Sequence, residues 1–335
     1  MTKKDSLIIK GVAILFMLYL HLFSMEKPIY EPLFYIDNEP FETYLLPFTQ
    51  PVDFFLLVSG YGLHVIYTRG TKDTHKWSRI LYLFLHWWII LSIYIIVSQI
   101  IGSGLELDVE NVIRNFTAFD TTWYHPGWFL FPYICLSLLS PYLFKIITKM
   151  KVWTCVIGFY VLGLGMSFVI SRNNDYIYSH RIIFNILGTI NLMPAFILGA
   201  MLHRMNAIVV VQKKLHSSKW VWCILILFVI VKCVIRTSII GVFYPVTFTL
   251  LFLSAPRWIW IDNILCYLGK HSMDMWLIHA WLYYYLFKAE FYSLRYPIII
   301  FVTLVIASLL CSYLIKWISE AMILVVDRKR WLIRT

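Results

Sequence analysis

The sequence predicts an all-α, polytopic membrane helical bundle with about ten transmembrane helices and both termini on the cytoplasmic side. Hydrophobic residues make up 60% of the chain, charged residues only 14%, and the mean hydropathy is +0.74, which excludes an ordinary soluble globular class. Apolar runs long enough to cross a bilayer recur from end to end. The 29 Lys and Arg residues fall mostly in alternate connecting segments, as expected of cytoplasmic loops.

The runs lie near 7–24, 44–67, 79–101, 127–144, 152–170, 182–203, 219–236, 239–254, 262–287 and 296–326. The eighth is short and interrupted by Pro245; if it is re-entrant, the last two spans reverse direction. The first run lacks a small-residue cleavage site and is expected to remain as a span rather than be removed as a signal peptide. No soluble appendage or linker is visible, so residues 1–335 read as a single integral-membrane domain. The formal charge of +11 is assigned to membrane orientation and not to nucleic acid. Cys135, Cys155, Cys223, Cys233, Cys266 and Cys311 lie in or beside apolar runs without a CxxC pair, which predicts small core hydrophobes and no metal framework. Glu26, Glu31, Asp37, Glu39 and Glu42 concentrate acidity in the first external loop.

Between Ser6 and Phe23 the strongly polar residues are Ser6, Lys10 and His21. Eleven helical steps bring the chain back to within about 20° of the same face, with a rise of about 16 Å, so Lys10 and His21 share a stripe. Ionisable groups in hydrocarbon face a bundle interior or a wet cavity, or else snorkel to the interfaces; both readings stand for this pair. Asp53, just inside the second span, either orients His21 or caps the helix after Pro51. Ser59-Gly60 permits close helix packing. Lys76 and Arg79, one turn apart, suit an anionic headgroup or the phosphates of a nucleotide-like cofactor, and they equally suit topology signalling. Trp123-Tyr124-His125-Pro126-Gly127-Trp128 predicts an aromatic belt at the start of a span, with His125 and Trp128 as candidate contacts for a polar substrate. Lys270 and Asp274 are spaced to pair on one helix, and His279 is a second buried imidazole without an evident local partner.

Taken in order, Lys10-x10-His21, Phe54-Phe55-Leu56-Leu57-Val58-Ser59-Gly60-Tyr61, Lys76-x-x-Arg79, Trp128-Phe129-Leu130 and Leu268-Gly269-Lys270-x-Ser272-x-x-x-Trp276-Leu277-Ile278-His279 resemble acyltransferase family 3. The resemblance implies a multi-pass protein of the bacterial inner membrane that O-acylates a glycan or its lipid-linked precursor, with acetyl-CoA as the usual donor. By position it makes His21 the catalytic imidazole, with Lys10 the basic residue of the same motif, and assigns Lys76 and Arg79 to the donor; Lys10 is a further candidate for the donor phosphates. Lys76 stands where the family has Arg, which keeps the charge and loses the planar fork. Phe131-Pro132-Tyr133 follows Trp128-Phe129-Leu130, where many members carry a Glu.

The resulting expectation is acyl transfer, with His21 either deprotonating the acceptor hydroxyl or transiently accepting the acyl group, Asp53 orienting His21, and Tyr61, Ser59 or His279 stabilising the oxyanion. Succinyl or another short acyl group is an open alternative to acetyl, and membrane lipids, a second copy of the chain or glycan-synthesis proteins are open as partners. The rival readings are a transporter or flippase for a lipid-linked glycan or acyl group, with the buried His and Lys as a proton relay, and a non-catalytic subunit of a glycan-synthesis complex.

Overall fold

The computed structural model describes residues 1–25, 28–70, 76–102, 105, 107–215 and 218–332, with 238 and 324–332 described as backbone only. Glu26 of the acidic loop, His75 beside Lys76, and Lys72 and Arg334 among the basic residues lie outside the described residues. The helices are α1 (Lys3–Phe23), α2 (Phe41–Tyr44), α3 (Pro51–Thr68), α4 (Lys76–Ile101), α5 (Val109–Phe116), α6 (Leu130–Lys149), α7 (Val152–Arg172), α8 (Asn174–Ser179), α9 (Arg181–Arg204), α10 (Ala207–Leu215), α11 (Trp220–Val234), α12 (Ser238–Gly241), α13 (Tyr244–Ser254), α14 (Ile259–Ala280), α15 (Lys288–Ser293) and α16 (Pro297–Leu332). A small antiparallel hairpin, β1 (Tyr35–Ile36) with β2 (Glu39–Pro40), turns through Asp37 and Asn38, both at positive φ, as a two-residue hairpin turn requires.

Every predicted apolar run forms a helix. Six described helical segments are long and apolar enough to cross a membrane: Lys3–Phe23, Lys76–Ile101, His125–Lys149, Val152–Arg172, Arg181–Arg204 and Pro297–Ile323. Large apolar side chains are exposed along them, including Trp153, Ile157, Val161 and Phe168 on α7 and Ile298, Val302, Ile306 and Leu310 on α16. Such stripes suit lipid and would be a liability in water. The protein is an all-α membrane bundle.

Contacts divide the chain into two compact units. The first comprises 1–25, 33–73 and 128–270; the second comprises 26–32, 74–127 and 271–335. Each draws on three separated segments, so no linear boundary in the sequence marks the division.

In the first unit, glycines bring helix backbones together. A Cβ at Gly60 on α3 would lie 1.8 Å from the Phe196 carbonyl oxygen on α9, and one at Gly199 on α9 would lie 2.0 Å from that of Leu57 on α3. The same reciprocal contact joins α1 to α14: Gly11 faces the Leu265 carbonyl at 2.1 Å and Gly269 the Leu7 carbonyl at 2.0 Å by the same measure. In lipid, where apolar burial gives little drive to helix association, such close approach supplies the packing. Phe54 is fully buried between these helices, edge-on to Phe16 (5.6 Å between centroids), Tyr244 (5.9 Å) and Phe248 (5.2 Å).

Pro245 does not interrupt the eighth predicted span. It lies in the first turn of α13, where its missing N–H has no helical partner to lose. The span is instead shortened, because α12 is separate; the 11 residues of α13 rise only about 16 Å, half a hydrocarbon core. Helices α11 and α13 form an antiparallel hairpin: Trp222 Nε1 at the start of α11 donates to the Pro256 carbonyl just beyond α13 (2.7 Å), and Phe228 stacks on Tyr244 (5.4 Å). The hairpin returns the chain to the side it left, so the direction of the later helices does not depend on its depth.

The second unit centres on Trp281, stacked with Tyr94 (3.4 Å) and Tyr124 (4.7 Å). Trp123 and Tyr124 are buried there, which corrects the expected interfacial belt: an aromatic cluster before a span served packing. Helices α4 and α16 pack together, and α16 buries Ile300, Leu304, Ser308, Ser312, Ile315 and Ser319, a stripe whose serines each donate to a carbonyl one turn back.

Replacing Gly199 by Val is expected to destabilise the protein by about 1–3 kcal/mol or more, seen as a lower thermal midpoint in detergent, because a backbone must move. Gly62→Ala, at a position with no atom within 4 Å of the added carbon, should leave the midpoint unchanged.

Candidate functional site

Helix α1 starts with a capping box: Thr2 Oγ1 accepts from the Asp5 N–H (3.1 Å) and Asp5 Oδ2 from the Thr2 N–H (2.7 Å). It runs unbroken to Phe23, so Lys10 and His21 share one face, as their spacing predicts. Between them on that face lie Ile14 and Met17, both buried. Lys10 and His21 are themselves half-buried. The stripe is thus a packed one, unlike the exposed stripes of α7 and α16.

Asp53 does not orient His21. It is the third residue of α3, after Gln50 at the N-cap, and the cap carries no side-chain hydrogen bond; the carboxylate complements the helix N-terminus instead of capping it. The adjacent residue, Phe54, packs toward Phe16 of α1. Asp53 turns another way, into a polar cavity of about 190 Å³ lined also by Gln50, Gly163, Ser167, Asn191, Pro194, Ala195, Gly241 and Val242. Beside the cavity, Lys232 of α11, a residue only 4% exposed, brings its Nζ within 3.7 Å of where a Cβ on Gly241 would lie.

Tyr61 is also placed away from His21. Its hydroxyl bonds the Met1 amine at 2.6 Å, and His21 lies a further 27 Å or so along α1 from that end at about 1.5 Å per residue. Tyr61 therefore stabilises no oxyanion at His21. Nearby, His64 and His203 face each other with Nδ1 atoms 2.7 Å apart, and Arg204 donates to the carbonyls of Ile147 (2.6 Å) and Met150 (3.0 Å) at the end of α6.

In the second unit, Lys76 and Arg79 occupy the first turn of α4, one turn apart, with Lys76 half-buried and Arg79 exposed. His125 is exposed at the start of the turn His125–Phe129, and its backbone N–H donates to the Tyr285 hydroxyl at 3.3 Å. Trp128, which belongs to the first unit, is half-buried against Phe184 (6.2 Å).

His279 is fully buried, and its Nδ1 lies 2.6 Å from the Trp276 carbonyl and 3.2 Å from the Tyr124 hydroxyl. A carbonyl only accepts, so Nδ1 carries a proton and donates it to Trp276. Asp274 bonds His86 Nδ1 at 2.5 Å, while Lys270 is exposed; the expected Lys270–Asp274 pair is replaced by one between helices. His86 is 0% and Asp274 5% exposed, so each is the other's compensation inside the bundle.

Sequence reading missed the His86–Asp274 and His64–His203 pairs, whose members are 188 and 139 residues apart. It also missed the use of Lys232, although a lysine within the apolar run Ile230-Val231-Lys232-Cys233-Val234 was a visible signal.

These features define a polytopic helical membrane protein with ionisable side chains held on packed faces of its spans. The chain belongs to acyltransferase family 3: residues 7–317 match its acyltransferase domain, from α1 into α16. It is a membrane acyltransferase. No curated protein and no solved structure matches the chain.

Asp274→Ala should destabilise the protein by about 3–5 kcal/mol by stranding the His86 imidazole, read as a lowered thermal midpoint, and Asp274→Asn should cost less.

Proposed function

We propose that this acyltransferase moves an acetyl or similar short acyl group from acyl-CoA, with acetyl-CoA the first choice, to a hydroxyl of a cell-surface glycan or its lipid-linked precursor. It would do so as a multi-pass protein of the bacterial inner membrane with cytoplasmic termini, an orientation supported by the distribution of Lys and Arg. The observation that carries the reading is the continuous helix α1, which holds a cation and an imidazole on one packed stripe within the family's matched region.

In this scheme Lys76 and Arg79 hold donor phosphates and Lys10 attracts the donor from α1. His21 takes the proton of the acceptor hydroxyl as its oxygen attacks the thioester carbonyl. The new C–O bond forms, the C–S bond breaks, and the CoA sulfur leaves as thiolate to be protonated by imidazolium or solvent. His125 and Trp128 are assigned to the polar acceptor. Asp53 and Tyr61 have no part in the chemistry at His21.

Purified protein with labelled acetyl-CoA should release free CoA only when an acceptor is present; a flippase or non-catalytic subunit should release none. His21→Ala is expected to lower transfer by about 10²-fold or more while the protein elutes and melts as the parent does. Lys10→Met should raise the KM for acetyl-CoA, and Lys10→Arg should retain most activity. Full activity in His21→Ala would overturn the assignment.

A further inference from the structure

The cavity beside Asp53 is not used by the acyl-transfer scheme, and its chemistry is unusual for the inside of a membrane bundle. Lys232 is 4% exposed, yet among the described residues no ion pair within 4.0 Å joins it to a carboxylate. Gln50 Oε1 is buried with no hydrogen-bond partner among the described residues, and its backbone sits at φ +37°, a left-handed conformation that costs a residue other than glycine. Gly241 lies between these groups: a Cβ there would come within 3.2 Å of Gln50 Nε2 and 3.7 Å of Lys232 Nζ. Pro194, also on the wall, lacks the N–H that would satisfy the Ile190 carbonyl one turn back on α9.

We propose that this cavity is a binding site for a single neutral, hydroxyl-bearing group, a sugar ring or a glycerol headgroup, held by the Asp53 carboxylate, the Ser167 hydroxyl and the amides of Gln50 and Asn191, with the Lys232 ammonium beside Gly241. The wall offers a carboxylate, a hydroxyl and two amides, so donors and acceptors are both present. A hydroxyl donates and accepts at once, so it can donate to the carboxylate while accepting from an amide. A phosphate would be repelled by Asp53, and an amine by the ammonium beside Gly241. The volume of about 190 Å³ exceeds the roughly 150 Å³ of a cavity that accepts benzene, so one six-membered ring has room. The site goes beyond the acyl-transfer reading and does not involve His21. Phe16 is the α1 residue that meets Phe54 beside Asp53, and His21 is about 140° around α1 from Phe16.

The test uses the full chain in phosphatidylcholine nanodiscs, labelled with a diazirine-bearing alkyl glucoside and mapped by mass spectrometry. Labelling is expected on peptides carrying Asp53, Ser167 or Asn191, and should fall at least fivefold in Gly241→Val, which fills the cavity. It should fall equally in the double variant Asp53→Asn/Lys232→Met, which removes both charges together and leaves neither stranded. Competition by glucose assigns a sugar, and competition by phosphatidylglycerol added to the nanodiscs assigns a glycerol headgroup; either supports the site. Labelling that misses these peptides, persists in both variants, or is competed only by inorganic phosphate overturns it and leaves a water-filled cavity. His21→Ala should keep the labelling, so failure here is separable from failure of the acyl-transfer scheme.

Discussion

On α1, the close approach of Gly11 to the Leu265 carbonyl, with Gly269 against the Leu7 carbonyl in return, sets the rotation of that helix. Two backbones meeting through hydrogen atoms leave almost no freedom to turn, because any rotation drives a Cβ into a carbonyl. Lys10, Ile14, Met17 and His21 all lie roughly a quarter turn from the Gly11 direction. Lys10 and His21 therefore owe their packed stripe to a pair of glycines that touch neither of them.

A second such crossing, through Gly60 and Gly199, couples α3 to α9 and has a different consequence. It fixes α3 so that Phe54 fills the core toward α1 while Asp53 turns to α7 and α9. The same backbone contact that builds the core thus separates two polar centres that lie close in sequence order. One centre belongs to α1 and carries the proposed chemistry, and the other is a cavity with its own charges.

Much of this was legible in the sequence, and the boundary of legibility is physical. Periodicity places two residues on one face of a single helix, and there it succeeded: the apolar runs became helices and Lys10 shares a stripe with His21. The packing role expected of Gly60 is present too. Periodicity says nothing of how a helix is rotated against its neighbours, and the expectations that needed that rotation failed. Asp53 and Tyr61 were associated with His21 by order along the chain, yet one turns into the cavity beside α7 and α9 and the other bonds the Met1 amine. Lys270 and Asp274 had suitable spacing, but a buried histidine on another helix took the carboxylate. His279 looked unpartnered because its bond runs to a backbone carbonyl, which no residue type advertises.

The central claim is that Lys10 and His21 line one protected stripe that meets the acyl donor. The most direct measurement places single cysteines at residues 10, 14, 17, 20 and 21 in a cysteine-free background and follows their reaction with a thiol reagent with and without acetyl-CoA. The account predicts that acetyl-CoA slows reaction at 10 and 21, and at 14 or 17 wherever these react, while Leu20→Cys, off the stripe, is unaffected. Reaction rates at 10 and 21 that ignore acetyl-CoA, or protection that follows Leu20→Cys instead, would contradict it.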